Sequence, residues 1–340
     1  MKTTTIKDVA ARAGVSPKTV SRVINGEAHV RPAVREQVQR VVAEMDYRPN
    51  AFARGLSSSR AYLIGLFFDD PASGYAGDVQ RGALARCREL GHHLVVEPVD
   101  LDAADWQDRL AGTLRDLRLA GAILTPPICD WQPLIDLFEE YDVPVVRIAP
   151  GEALDRTPRV CMDDRAAARE MTERLIALGH RDIGFVKGKP SHIAAVHRLD
   201  GFRDAMAAAG LPVRDAWIVE GDFSFRSGFE AAEVLLAAPD RPTAVFASND
   251  ETALGVLVGA MRHRISVPDM LSVAGFDDAP IARMAWPQIA TIRQPNIEIA
   301  AAAVSMLVGP AGKTAGDGKP VRLQLPYALV DRPSIGARAD

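Results

Sequence analysis

Apolar residues along this chain follow two different periods. In residues 6 to 13, IKDVAARA, Ile6, Val9, Ala10 and Ala13 recur at i, i+3, i+4 and i+7, one face of a helix. Gly14 is placed to end it. Ser16 can cap a second helix, with Pro17 in its first turn, where a missing N–H costs nothing. Val20 and Val23 then point inward and Lys18, Thr19, Ser21 and Arg22 outward. A third helix, Arg31 to Met45, carries Val34, Val38, Val41, Val42 and Met45 on one stripe. Two short helices across a glycine-containing turn are predicted to form a helix-turn-helix, with the third completing a small bundle. A helical cap on a larger domain would show the same periodicity.

Beyond residue 61 the pattern changes. YLIGLFF, HLVVEPV, AGAILTPP and VPVVRIAP read as buried strands separated by helical stretches. The alternation repeats with RDIGFVKG, AWIVEGDF, TAVFASND and LSVAGFDD, and a last strand is expected after the loop GPAGKTAGDGKP at 309–320. Such alternation predicts parallel sheets covered by helices on both faces. Two sets predict two doubly wound α/β lobes with a cleft between them, and ligands bind beyond the carboxyl ends of such strands.

Charge divides the chain at the same place. Residues 1–60 hold eleven Lys and Arg against five Asp and Glu, a surplus of six, so the remainder carries −10 of the net −4. A basic block on an acidic body suits a polyanion-binding module, although a solvated basic face would give the same count. At 340 residues, two or three domains of roughly 100–200 residues are expected. No apolar run approaches the ~18 residues of a membrane span, and MKTTTIKDVA lacks the apolar core of a signal peptide. Cys87, Cys129 and Cys161 are far apart, which fits a reducing cytoplasm and argues against a disulfide framework or zinc site. GxSxG, HExxH, Walker and GxGxxG patterns are missing, so neither catalysis nor a cofactor is expected. His92 and His93 are adjacent on a strand and face opposite sides, which disfavours a metal site.

The stretch TIKDVAARAGVSPKTVSRVINGEAHVRPAVREQVQRVVAEMDYRPNAFARGL resembles, almost continuously, the DNA-binding headpiece of the LacI family of bacterial transcription regulators. The body resembles that family's periplasmic-binding-protein-like core. The resemblance implies a headpiece at 1–48, a hinge helix and linker at 49–60, and an effector-binding and dimerisation core at 61–340. The N-lobe would span about 61–162 and 294–322, and the C-lobe about 163–293 and 323–340, with crossings near Cys161 to Arg165, Arg293 to Pro295 and Val321 to Leu325. It further implies a recognition helix from Ser16 to Asn25 in the major groove. Pro17, Lys18 and Arg22 would face base edges, with Thr5, Ser16, Thr19, Ser21, Asn25 and His29 on phosphates.

YRPNAFARGLSSSRA, residues 47 to 61, is a marginal helix at best: two turns after the Asn50 cap, weakened by about 1 kcal/mol at Gly55. A plain flexible linker would look similar. The resemblance makes it a hinge helix, ordered when two copies pair on DNA, with Leu56 wedged into a minor-groove step and Ala53 and Arg54 beside it. In the core, Arg198, Asn249 and Asp277 match the family's polar effector contacts, and Phe223 an aromatic platform. Tyr75 in SGYAGDVQRG stands where the family usually has Asn-Pro-Phe-Phe, and Asp163 lies at the first crossing. Side-chain capping of helices would also explain aspartate and asparagine at these junctions, and is the expectation for Asp250 and Asp278. Arginine, amide, carboxylate and aromatic faces suit a sugar or glycoside; a purine or nucleoside is the alternative. The resemblance implies a dimer on a pseudo-palindromic operator duplex, and because ALVDRPSIGARAD carries no leucine heptad of the kind that builds tetramers in that family, a homodimer is expected.

Overall fold

The structure, a computed structural model, describes residues 4–24, 30–47, 61–70, 74–237, 239–309 and 319–338. It divides into two units, Met1–Tyr62 and Leu63–Asp340.

The first unit is built from α1 (Ile6–Arg12), α2 (Pro17–Ile24) and α3 (Pro32–Glu44). Val9, Ala10, Ala13, Val20, Val23, Val38 and Val41 form its core, with Ile6, Val34, Val42 and Met45 packed around it. The helix ends follow from local chemistry. Thr5 and Asp8 make a reciprocal capping box at α1. Gly14 adopts φ +61°, and the N–H groups of Gly14 and Val15 donate to the carbonyls of Ala11 and Ala10, a Schellman ending. The Ser16 hydroxyl accepts from the Thr19 N–H at 3.1 Å and so caps α2. Gln37 of α3 ties the bundle by donating to the Ala13 carbonyl at 3.0 Å.

The second unit holds two lobes. The N-lobe sheet is entirely parallel and contains β1 (Leu63–Phe68), β2 (His93–Pro98), β3 (Leu119–Leu124), β4 (Val145–Ile148), β5 (Arg159–Cys161) and β11 (Arg322–Gln324), in the order β11-β5-β4-β3-β1-β2. Alternation along its strands feeds two cores. Ile64, Leu66, Phe68, Ile123, Val146 and Ile148 pack under α4 (Gly74–Glu89) and α12 (Asn296–Val308). Phe67, Ala122, Leu124 and Val145 pack under α5 (Trp106–Asp116) and α6 (Gln132–Glu140). Burial of both faces explains why these strands read as continuous apolar runs.

The C-lobe sheet runs β7 (Ile218–Val219), β6 (Ile183–Val186), β8 (Ala244–Ala247) and β9 (Ser272–Ala274), again parallel. Phe185, Ala244 and Phe246 face α7 (Asp164–Ala177) and α8 (Ile193–Ala208). Val186, Val245 and Ala247 face α9 (Phe225–Leu236) and α10 (Asp250–Arg262). The short α11 (Pro280–Met284) follows β9. An antiparallel pair, β10 (Thr291–Arg293) with β12 (Ala328–Val330), packs on α7. The chain passes between lobes from β5 to α7, from β10 to α12 and from β11 to β12. The strands without a reading of their own, β5, β10 and β12, are three residues long, too short to display a period.

Candidate functional site

A cavity of about 400 Å³ lies between the two lobes, beyond the carboxyl ends of their strands. The end of β1 brings Phe68, Asp69 and Asp70 to it, and the first turn of α4 brings Gly74 and Tyr75. Met162, Asp164, Gln294 and Asn296 enter from the crossing segments. Lys189, His192, Arg198, Asp222, Phe223, Asn249, Glu251 and Asp277 come from the C-lobe.

Arg198 is the best-defined group in the cavity. It sits in the second turn of α8, which begins at Ile193. Its Nε and Nη2 lie 2.9 Å from Asp164 Oδ1. Nη1 donates to the Ser248 carbonyl at 2.7 Å, and the guanidinium stacks 3.7 Å from the Phe276 ring centroid. The residue is 5 % exposed, so its fork is locked before any ligand arrives, the preorganised form in which arginine binds best.

Asp277 lies 3.8 Å from Arg198 Nη1, and its Oδ1 accepts from Gln294 Nε2 at 2.5 Å. Burial pushes its carboxyl up to about 6, against the pull of Arg198. Its backbone is held at φ +117°, Asp278 at +56° and Phe223 at +72°. Such conformations cost roughly 1–3 kcal/mol each and persist where surrounding structure enforces them. At Phe223 the enforcing bond is visible: Asn249 Nδ2 donates to the Phe223 carbonyl at 2.9 Å. Asn249 Oδ1 meanwhile accepts from the Thr252 N–H and caps α10. Asn249 therefore borders the cavity mainly as the anchor of the Phe223 loop. The Phe223 ring lies against Gly188, where an added Cβ would fall 2.2 Å from it. The His192 ring meets Phe223 edge-on, with centroids 5.2 Å apart. Burial pushes His192 down to about 4, so near neutral pH one ring nitrogen donates and the other accepts. Burial also raises the Tyr75 hydroxyl far above its ordinary value, keeping it a neutral donor and acceptor.

Asp163 does not reach the cavity. It is exposed and caps α7, accepting from the Ala166 N–H at 2.9 Å. The next residue, Asp164, turns inward to Arg198. One step along a helix rotates the side chain by about 100°, and the sequence carries two adjacent aspartates with no sign of which faces in. Asp164, Lys189, His192, Gln294 and Asn296 were not among the expected contacts, since only the meeting of the lobes brings them together. Asp250 and Asp278 serve the framework. Asp250 accepts from Thr291 Oγ1 at 2.6 Å and the Ala279 N–H at 2.8 Å. Asp278 pairs with Arg293 at 2.7 Å and with Arg332. Phe225 opens α9 on the surface and stacks on Phe229. Two interlobe contacts flank the cavity: Lys189 lies 3.8 Å from Asp69, and the Ile193 side chain fills the space a Cβ on Gly151 would need. Among the described residues no cluster could hold a metal ion and no helix is long and apolar enough to cross a membrane.

In the first unit, α2 leaves Pro17, Lys18 and Arg22 exposed, the two cations one turn apart. Thr19 and Ser21 are half-buried. The Thr5 hydroxyl donates to Asp8 at 2.6 Å and the Ser16 hydroxyl shares a hydrogen bond with that of Thr19 at 2.9 Å. These side chains have capping roles whatever else they touch. Asn25, His29 and the hinge positions Ala53, Arg54 and Leu56 lie outside the described residues.

Comparison with known proteins covers both units. Residues 5–50 match the model for bacterial regulatory proteins of the lacI family, and residues 172–335 a periplasmic binding protein-like domain. Catabolite control protein A of Priestia megaterium is 34% identical over 97% of this chain and 98% of its own length. A complex of the transcriptional regulator CelR with cellobiose is 32% identical, with a TM-score of 0.72 over 97% of this chain and 99% of that one. The lac repressor dimer bound to operator and the anti-inducer ONPF is 29% identical, with a TM-score of 0.82 over 99% of this chain and all of that one.

Proposed function

The chain belongs to the LacI family of bacterial regulatory proteins, and from that premise we propose that it is a repressor released from its operator by a neutral sugar or glycoside held between the lobes. It is a DNA-binding transcription regulator with a ligand-binding core, and its full-length relatives are regulators and not enzymes. The observation that carries the ligand class is the composition of the cavity. Asp69, Asp70, Asp164, Asp222, Glu251 and Asp277 stand against Lys189 and Arg198. A phosphosugar or nucleotide would meet a surplus of negative charge, whereas a neutral polyol both donates to the carboxylates and accepts from Arg198 and His192.

Pro17, Lys18 and Arg22 take the base-reading role and Thr5, Ser16, Thr19, Ser21, Asn25 and His29 the phosphate-binding role. Ala53, Arg54 and Leu56 enter the minor groove, and Leu56 is the wedge. Sugar in the cleft changes the angle between lobes, the paired hinges separate, and operator affinity falls. Coupling of this kind is typically about 1–3 kcal/mol, a 5- to 150-fold change. The place of action is the cytoplasm, where the operator is. The test is a gel shift of the full chain on duplexes selected from random-sequence DNA, repeated with glucose, ribose and cellobiose. Release by one of them is expected; release only by phosphosugars or purines would overturn the ligand class.

We also assign a homodimer, with one headpiece per half-site. Met284 and Trp286 on the C-lobe are 79% and 87% exposed, unusual for large apolar side chains unless a partner covers them. Trp286→Glu is expected to convert a sedimenting dimer to monomer at micromolar concentration and to weaken operator binding more than tenfold. A monomeric parent, or a variant that remains dimeric with full affinity, would remove this surface from the interface.

A further inference from the structure

Asn296 opens α12 immediately after the second crossing and borders the cavity on its N-lobe side. The residue is 3 % exposed. Among the described residues its Oδ1 is the one buried side-chain oxygen or nitrogen left without a hydrogen-bond partner. An asparagine at a helix start ordinarily spends this oxygen as a cap. Here it does not, and the preceding Pro295 makes no side-chain cap either. The neighbouring polar groups are committed elsewhere: Gln294 to Asp277, and Asp164 to Arg198. Buried carboxamides are rarely left unpaired, because desolvating them without a partner is unfavourable. The residue that carries it lines the ligand cavity.

We propose that Asn296 is a specificity-determining ligand contact, its Oδ1 accepting a hydrogen bond from a sugar hydroxyl. This rests on the sugar-binding reading above and adds its N-lobe half. Arg198, Asp277 and Asn249 line the C-lobe side. Tyr75 can both donate and accept, so it does not discriminate. Asn296 Oδ1 only accepts, and it selects a ligand that presents a donor at that point. A ligand bound to both sets bridges the lobes.

The test uses the full chain and D-ribose, D-glucose and cellobiose as probes, with melting temperature and calorimetric affinity as readouts. Asn296→Leu keeps the branched shape and removes both polar atoms. Filling the site with an apolar isostere is expected to leave the ligand-free melting temperature unchanged or raised, and to weaken the responding sugar at least tenfold. Asn296→Ala, which demands no extra room, should weaken it similarly. Wild-type affinity in both variants would overturn the assignment, as would a ligand-free Asn296→Leu protein melting several degrees lower, the mark of a structural side chain. A parent chain that responds to none of the three sugars overturns the ligand class itself, and this contact with it. The parent and variant measurements thus separate the two failures.

Discussion

Replacing Lys18 and Arg22 together by alanine is expected to weaken operator binding by about thirtyfold or more, without changing sugar affinity or the melting of the core. Both cations are exposed on α2, while the headpiece core is made of Val9, Val20, Val23, Val38 and their neighbours. Neither residue belongs to that core, so the circular dichroism of the headpiece should be unchanged. A side chain that reads a base edge supplies about 1–3 kcal/mol of discrimination, and two such losses multiply to the expected factor. Gel shifts on the selected operator and on scrambled DNA separate the roles. If the two residues read bases, affinity for the operator falls far more than affinity for scrambled DNA. If they touch only phosphates, both fall together and the salt dependence drops by about one unit for each cation removed. Unchanged operator affinity would remove α2 from the reading role.

The second large effect concerns Arg198. Arg198→Ala is expected to leave a protein that binds operator DNA but is not released by any sugar that releases the parent. The guanidinium is fixed by Asp164, the Ser248 carbonyl and the Phe276 ring. Loss of charge-assisted hydrogen bonds at about 1.5–3 kcal/mol each should weaken ligand binding by roughly two orders of magnitude. There is a structural cost as well. Asp164 and Asp277 would remain buried without their cation, and breaking a buried pair typically costs about 3–5 kcal/mol. Melting of the core should therefore fall by several degrees, while the headpiece, a separate unit with its own core, keeps its fold. Arg198→Lys restores charge but not the fork, and should recover part of the stability and little of the response. Release of the alanine variant at the parent's sugar concentration would sink the role assigned to Arg198.

The pocket shows why some contacts were legible and others not. Arg198, Phe223 and Asp277 follow local patterns, Arg-Leu-x-Gly-Phe, Gly-Asp-Phe and Gly-Phe-Asp-Asp, and all three border the cavity. Asp163 was the expected contact at the first crossing and Asp164 is the one that faces in. The error is a single residue, the rotation of one helical step. His192, Lys189 and Asn296 belong to no local pattern. Each matters because of what the fold brings beside it from far along the chain: Asp69 of the other lobe next to Lys189, Phe223 of the same lobe next to His192, and the cavity next to Asn296.

By itself the sequence determined the helix-turn-helix, its caps and its glycine ending, since those depend on residues within four or five positions of one another. It also determined the long parallel strands, whose burial on both faces is written as unbroken apolar runs. The tertiary structure alone decided the short strands β5, β10 and β12, the choice of Asp164 over Asp163, the left-handed backbone at Phe223 held by Asn249, and the unpaired oxygen of Asn296. Those features rest on contacts between residues tens to hundreds of positions apart. Local spacing carries no record of which side of a helix a distant lobe will cover.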